Sequence, residues 1–325
     1  MTKSIREGIA LPLLGIILLG SAALMPVVLT PALAQEAGDE TPLSEYAAAE
    51  DPPVFDTPEA AVEAFKSTVT GGDFDKLAAL VGLDAAKAKA SEGVKETYAE
   101  IKEGVKEKVV VEDVEGRKVV EIGDESWPFP FPISKGDDGK WAFDTFVGLE
   151  EIANRRVGEN ELATLATMRA YVEAQEEYAL GDHDGDSVLE YAQKLISSEG
   201  AQDGLYWPAE QFGGEESPAA AALAEGAALD RAKAGEGFHG YRYRILTSQG
   251  ENIAGGKYDY VINGNMIAGF GLVAWPVKYG VSGVKTFVVN RNGIVYEADL
   301  GEDTEKTAAA IRTFNPNDDW AVVQD

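Results

Sequence analysis

One short acidic run has the residue types and the spacing of a metal-binding loop. In Asp182-His-Asp-Gly-Asp-Ser-Val-Leu-Glu190, carboxylates occupy positions one, three, five and nine. Alternating carboxylates can direct several oxygens toward one point, and calcium prefers such cages of hard oxygen ligands. We therefore identify four candidate calcium ligands: Asp182, Asp184, Asp186 and Glu190.

The run matches a calcium-binding EF-hand loop only in part. Position six is Ser187 where the EF-hand has glycine, and position twelve is Gln193 where it has glutamate. The first half of the run is more similar to thrombospondin- and dockerin-type loops. The alternative is a solvated acidic turn in which Asp186 or Ser187 caps a helix that begins at Val188.

Two adjacent arginines, Arg155 and Arg156, form the main basic pair of this acidic chain. Guanidinium groups bind carboxylates and phosphates through paired hydrogen bonds, so the pair could hold an anionic ligand at a joint between two domains. Alternatively, the two side chains pair with neighbouring carboxylates and fasten the domains together. Arg242 and Arg244 lie on one face of a predicted strand and allow the same two interpretations.

Residues for nucleophilic or zinc-dependent catalysis are not recognisable in the sequence. The chain has no cysteine and only two histidines, His183 and His239, and neither has visible partners for a catalytic triad or a zinc site. Paired carboxylates can hydrolyse glycosidic bonds, but among 56 acidic residues a pair carries no information. Five tryptophans could line a sugar- or peptide-binding groove or pack in the core: Trp127, Trp141, Trp207, Trp275 and Trp320.

Apolar periodicity and capping residues predict the helices that position these groups. Thr57 as an N-cap, followed by Pro58, begins the first helix, which Gly71-Gly72 ends. Further helices are predicted over residues 74–81, 85–107, 161–180 and 188–198, with a short one after residue 303. The acidic run therefore lies between two predicted helices.

Strands are predicted in two groups. The first comprises residues 109–114, 118–122 and 141–147, with an edge segment, 127–133, that carries three prolines. The second is an antiparallel meander over residues 238–301, with turns at Asn263-Gly264 and Asn292-Gly293, because both residue types tolerate positive φ. Helices combined with each group of strands predict an α+β fold with two domains, residues 54–150 and 151–325.

The N-terminus has the features of a bacterial export signal. Lys3 and Arg6 precede an apolar stretch, and Ala32-Leu-Ala34 provides a small-x-small cleavage site. We expect residues 1–34 to be a cleaved signal peptide and residues 35–53 a flexible acidic leader, with an uncleaved membrane anchor as the alternative. Cleavage would leave a periplasmic or extracellular protein without a membrane span. The formal net charge of −28 repels nucleic acids, so none is expected as a partner.

Several short strings together resemble an exported bacterial family described only as domain of unknown function 2950. They include Trp127-Pro-Phe-Pro130, Asn160-Glu161, His239-Gly-Tyr241 and Tyr279-Gly-Val-Ser-Gly283. The strings follow one another in order over nearly the whole mature chain. This resemblance implies family membership but brings no established activity with it.

Two weaker resemblances concern the fold. The N-terminal helices and curled antiparallel sheet are similar in topology to the cone of nuclear-transport-factor-like folds. From Glu161 to Gly301, a long helix, a Tyr-x-Tyr strand and a closing Asn-Gly hairpin resemble the globular domain of type IV pilins and type II pseudopilins. Leu13 stands five residues after Gly8 where a pilin has glutamate, so the resemblance implies a pilin-like protein that does not assemble into a pilus.

These observations favour a non-enzymatic binding or assembly protein of the cell envelope, stabilised by calcium, with a secretion- or pilus-type protein as its partner. The alternative is a hydrolase of an envelope polymer that uses carboxylates in a tryptophan-rimmed cleft between the two domains. A third hypothesis is the binding of a small ligand inside the N-terminal cone.

Overall fold

The computed structural model describes residues 43–91, 93–222 and 237–324. The predicted signal peptide and the first part of the predicted leader lie outside the described residues. The described chain combines helices with antiparallel sheets, which confirms the predicted α+β class. Within the described ranges, no helix is both long enough and apolar enough to cross a membrane.

Four helices open the N-terminal half after a 3₁₀ turn at Leu43–Tyr46: α1 Pro58–Gly71, α2 Phe74–Leu80, α3 Ala85–Ala90 and α4 Val94–Glu107. The start of α1 is as predicted, because Thr57 Oγ1 accepts a hydrogen bond from Ala60 N at 3.2 Å. Its end is also as predicted, since Gly72 adopts a left-handed φ of 73° that closes the last turn.

The single helix predicted over residues 85–107 is wrong. α3 ends at Ala90, and α4 begins at Val94, directly after Gly93, whose φ of 74° is left-handed. Glycine reaches this conformation without the steric cost that a Cβ atom brings. α3 packs on α2 and α4 packs on α1, and the two helices also contact each other.

A five-stranded antiparallel sheet packs against α1 and α4. Its strands are β1 Val109–Val114, β2 Arg117–Ile122, β3 Trp127–Pro128, β4 Ile133–Lys135 and β5 Trp141–Phe143. The spatial order is β1-β2-β4-β5, and β3 pairs with β2. The predicted edge segment, residues 127–133, is in strand conformation only at its two ends, which form β3 and the start of β4. The prolines between them cannot donate hydrogen bonds to a neighbouring strand. The core between helices and sheet contains Phe65, Phe129 and Phe143, with ring centroids 4.8 to 6.3 Å apart.

The longest element is α5, Thr145–Tyr178, whose 34 residues extend over about 50 Å. It begins earlier than predicted, because Asp144 Oδ1 caps it by accepting a hydrogen bond from Val147 N at 3.2 Å. Gly148 is helical and allows close packing, since a Cβ atom there would lie 2.0 Å from the ring of Phe131. The residues predicted as a joint between domains are therefore helical, and α5 contributes to the cores of both halves.

The C-terminal half contains a second five-stranded antiparallel sheet, and four of its strands lie within residues 238–301, where the meander is predicted. In spatial order its strands are β14 Ala321–Val322, β13 Tyr296–Asp299, β12 Lys285–Asn290, β11 Gly271–Pro276 and β6 Tyr241–Leu246. α5 packs on one face of this sheet, and α6, Thr304–Ala310, packs on the other.

Two short strand pairs lie between β6 and β11 along the chain. Strand β7, Ser248–Gln249, pairs with β8, Tyr258–Asp259, and β9, Val261–Ile262, pairs with β10, Asn265–Met266. The turn between β9 and β10 is the predicted one, with φ values of 53° at Asn263 and 99° at Gly264.

The helix predicted over residues 188–198 is wrong, since this segment is extended and irregular. Tyr191 N donates to Met266 O at 2.9 Å, and Ala192 N donates to Gln175 Oε1 at 2.8 Å. Backbone groups that would pair within a helix therefore pair with β10 and with a side chain of α5. The apolar residues of the segment still face the core, which explains why their spacing was misleading.

Candidate functional site

The acidic run forms an exposed loop that follows the C-terminal end of α5. His183 holds this loop to the helix, because its Nε2 lies 3.0 Å from Tyr178 O and its ring stacks on the Tyr178 ring at 4.1 Å. The imidazole also contacts Trp207, with ring centroids 5.6 Å apart. His183 therefore anchors the loop through aromatic contacts, whereas Asp182 and Asp184 on either side of it are exposed to solvent.

Three of the four predicted calcium ligands converge. One carboxylate oxygen from each of Asp182, Asp184 and Asp186 lies within 4.8 Å of the other two, and all three residues are exposed. Asp182 is fixed by two backbone donors, Gly185 N at 2.8 Å and Ser187 N at 2.9 Å. These hydrogen bonds lower the pKa of the Asp182 carboxyl, so its anionic form persists to lower pH.

Ser187 has the backbone conformation that an EF-hand loop requires at position six. Its φ is 70°, and that of Gly185 is 80°, so the loop makes two left-handed turns within three residues. A non-glycine residue rarely adopts this conformation, which is why glycine stands at position six of EF-hands. At position six, the loop therefore differs from an EF-hand in residue type, but its backbone has the conformation that an EF-hand requires there.

Glu190 lies outside the group of converging carboxylates. Its Oε2 accepts a hydrogen bond from Met266 N at 2.8 Å, and Gln193 Nε2 donates to Gly264 O at 2.6 Å. Asp186 Oδ2 accepts from Asn265 Nδ2 at 2.6 Å. The acidic loop and the segment that follows it are thus tied at three points to the β9–β10 hairpin, which carries the exposed side chain of Ile262.

Tyr178 lies beneath the acidic loop and is almost fully buried. Burial raises the pKa of its hydroxyl well above the usual value, and the charges of Glu190, Asp203 and Asp184 raise it further. The hydroxyl is therefore protonated at physiological pH and donates to Gln202 O at 2.8 Å. This residue therefore supports the loop through its packing and this hydrogen bond.

The arginine pair predicted at a domain joint lies on α5. Arg155 Nε donates to Glu151 Oε1 at 2.7 Å, its NH2 donates to Pro128 O at 2.9 Å, and its guanidinium lies 5.2 Å from the Trp127 ring centroid. These contacts hold α5 against β3 within the N-terminal half. Arg156 is half-buried at the next position of the helix.

The second arginine pair contacts α6. Arg242 forms an ion pair with Glu305, with an N–O distance of 2.5 Å. Arg244 donates to the carbonyl oxygens of Ala308 and Ala309, at 2.9 and 3.0 Å, and to that of Ile311. Burial lowers the pKa of the Arg244 guanidinium, with the charge of Arg312 as a second cause. Arg244 therefore caps the C-terminal end of α6, where a cation also opposes the negative end of the helix dipole.

The remaining sequence candidates are spread through the fold. His239 and Gly240 form a two-residue turn, with φ values of 49° and 72°. The tryptophans belong to different apolar clusters: Trp141 lies against the N-terminal core, Trp207 lies beneath the acidic loop, and Trp275 and Trp320 lie on the α6 side of the C-terminal sheet. Trp127 is partly exposed beside Arg155.

Polar residues of α5 that face the C-terminal core form contacts that the sequence analysis missed. Glu161 Oε1 accepts from Val284 N and Lys285 N, each at 2.9 Å. Gln175 binds both backbone groups of Ala192. In the sequence, these polar side chains fall on the helix face that is otherwise occupied by apolar residues. This position was the signal that could have identified them. Both act in holding the fold together and leave the acidic loop as the candidate site.

Comparison with known proteins gives one match. The family model described as "Protein of unknown function (DUF2950)" matches residues 53–323, which is most of the chain. No curated protein and no solved structure matches the chain. The match extends over both halves and over the strings that suggested the resemblance. The chain therefore belongs to the family of proteins of unknown function DUF2950.

Proposed function

We propose that this protein is an exported, non-enzymatic binding or assembly protein of the cell envelope, and that its acidic loop binds calcium. The observation that carries the proposal is the convergence of Asp182, Asp184 and Asp186 in an exposed loop that is tied to the β9–β10 hairpin. Calcium bound there would neutralise part of the negative charge of the loop and hold the hairpin in one position.

Export is supported by the n-region, apolar stretch and Ala-x-Ala site of residues 1–34, which suggest a periplasmic or extracellular location. The proposed fold has a nuclear-transport-factor-like cone in the N-terminal half and a pilin-like C-terminal half. The second part is motivated by the packing of a long helix, α5, on an antiparallel sheet. A partner from a secretion or pilus-type assembly is proposed on this basis.

Neutralising the three aspartates is expected to abolish stabilisation by calcium. Calcium should raise the melting temperature of the mature wild-type protein, because it binds the folded loop and not the unfolded chain. The variant Asp182→Asn/Asp184→Asn/Asp186→Asn should show the same melting temperature with millimolar calcium and with a chelator. The measurement is thermal unfolding followed by circular dichroism under both conditions.

The matched control is the variant Glu210→Gln/Glu215→Gln/Glu216→Gln, which removes three exposed charges elsewhere and should keep the calcium response. A second variant, Ser187→Gly, should bind calcium at least as tightly as the wild type, because glycine adopts the left-handed φ without steric cost. An equal calcium response in the triple aspartate variant and the wild type would exclude this loop as the site.

Crosslinking in the native cell tests the binding function. A tagged mature protein is expected to recover a secretion or surface-assembly component, identified by mass spectrometry. Ile262→Glu on the β9–β10 hairpin should reduce this recovery, whereas Ile294→Glu should not, although both isoleucines are 46% exposed. Recovery of the protein alone would count against the binding function and favour a self-contained enzyme or ligand carrier.

A further inference from the structure

A partly open cavity of about 90 Å³ lies within the C-terminal half, between α5 and the sheet. Thr167, Ala170 and Tyr171 of α5 form one wall, and Tyr243 of β6 and Leu272 of β11 form the opposite wall. Segments that follow the acidic loop complete it with apolar side chains, among them Leu205 and Ala219. The small residues on the helix face and in the loop leave this space where close packing is otherwise the rule.

The polar atoms of the lining side chains already have partners within the protein. Thr167 Oγ1 donates to Ala163 O at 2.8 Å, and Tyr171 OH donates to Gly271 O at 3.0 Å. Tyr243 OH donates to Thr164 Oγ1 at 3.2 Å. No charged residue lines the cavity among the described part of the chain. The walls therefore offer a ligand only apolar contacts. A polar group placed there would lose its hydrogen bonds with water without replacing them.

Size restricts the ligand as strongly as chemistry does. Pockets that enclose a whole drug-sized ligand usually measure about 300–1,000 Å³. An engineered apolar cavity of about 150 Å³ stays dry and takes up benzene or xenon. A cavity of about 90 Å³ that is open on one side can therefore hold a hydrocarbon group no larger than about a benzene ring.

We propose that this cavity is a binding site for a small hydrocarbon group, such as the end of an alkyl chain that enters from its open side. This site is separate from the acidic loop. A ligand in the cavity would be held by apolar contacts, whereas calcium at the loop would be held by charge. The proposal is independent of calcium binding, because none of the lining residues named above carries a carboxylate.

Benzene and phenol provide a matched pair of probes for the full mature chain. Benzene should raise the melting temperature of the wild type by roughly 2–4 °C at concentrations several times its dissociation constant. Phenol should raise it less, because its hydroxyl finds no free partner in the cavity. Xenon pressurised into crystals of the protein should give a single strong peak between Ala170 and Leu272.

Variants that fill the cavity test the location. Ala170→Val and Ala219→Val each add carbon atoms to its wall and should abolish the benzene response while the protein stays folded. Ala166→Val, at an exposed position of the same helix, is the matched control and should keep it. An unchanged wild-type melting temperature in benzene, or an equal response in all four proteins, would overturn the proposal.

Discussion

Replacing Gln175 with methionine is expected to lower the free energy of unfolding by about 4 kcal/mol. Gln175 is fully buried on α5 and acts as a hydrogen-bonding partner for an extended segment. Its Oε1 accepts from Ala192 N at 2.8 Å, and its Nε2 donates to Ala192 O at 2.9 Å and to Tyr171 OH at 3.0 Å. Methionine has a similar length and shape but offers neither a strong acceptor nor a donor.

The large effect follows from what the substitution leaves behind. Ala192 is 1% exposed, so its N–H and C=O cannot turn to water when the amide of Gln175 is removed. Each buried backbone group without a partner costs about 1–3 kcal/mol. The hydroxyl of Tyr171 keeps its bond to Gly271 O, so that part of the network should persist.

Urea unfolding followed by fluorescence measures this effect as a shift of the midpoint at constant m value. Glu177→Met, at an exposed position of the same helix, is the control and should change stability by less than about 0.5 kcal/mol. If the two variants unfold at the same urea concentration, Gln175 does not hold the segment as described.

Replacing Glu161 with alanine is expected to lower the free energy of unfolding by about 3 kcal/mol. Its carboxylate accepts hydrogen bonds from two successive backbone N–H groups, Val284 and Lys285, as an anion does in a concave backbone site. The adjacent Asn160 Nδ2 donates to Ser282 O at 2.8 Å. Together these side chains fix the segment that leads into β12.

Charge and shape can be separated with a second variant. Glu161→Gln keeps one acceptor oxygen and should cost only about 1 kcal/mol, because the bonds lose their charge assistance but not their geometry. Glu159→Ala removes an exposed carboxylate two positions away and is the control. Hydrogen exchange should show faster exchange of residues 278–285 in Glu161→Ala. A uniform change over the whole protein would contradict the local role.

Local features were predicted best where one or two residues decide the backbone. Thr57 begins α1, Gly72 ends it, and Asn263-Gly264 forms the turn between β9 and β10. In each case a side-chain acceptor or a positive φ acts over a few residues and needs no distant partner.

Longer segments were mispredicted where distant residues supply the partners. The apolar stripe of residues 188–198 suggested a helix, but Gln175 and β10 take its backbone hydrogen bonds. The long helix is predicted to begin at residue 161 but begins at Thr145, and its packing on Phe131 requires a residue without a Cβ at Gly148. Sequence periodicity reports which residues are buried, and it does not report which backbone groups will pair.

The candidate site shows the same division. The spacing of Asp182, Asp184 and Asp186 was sufficient to predict that their carboxylates converge, because they lie within five residues of one tight loop. Its position in the run predicts that Glu190 joins this set, but Met266 N, from another part of the chain, donates to its carboxylate. Arg155 pairs with the neighbouring Glu151, whereas the carbonyl oxygens that bind Arg155 on β3 and Arg244 on α6 lie far away in sequence.

Caps, turns and short-range spacing thus established the α+β class and the convergence of three aspartates, because each depends on interactions within a few residues, and the order of short strings along the chain indicated the family. The continuity of α5, the role of Glu190, the hydrogen bonds of Gln175 and Glu161, and the apolar cavity depend on contacts between segments up to 124 residues apart. These contacts depend on which distant segments pack against each other in the folded protein, so only the tertiary structure shows them.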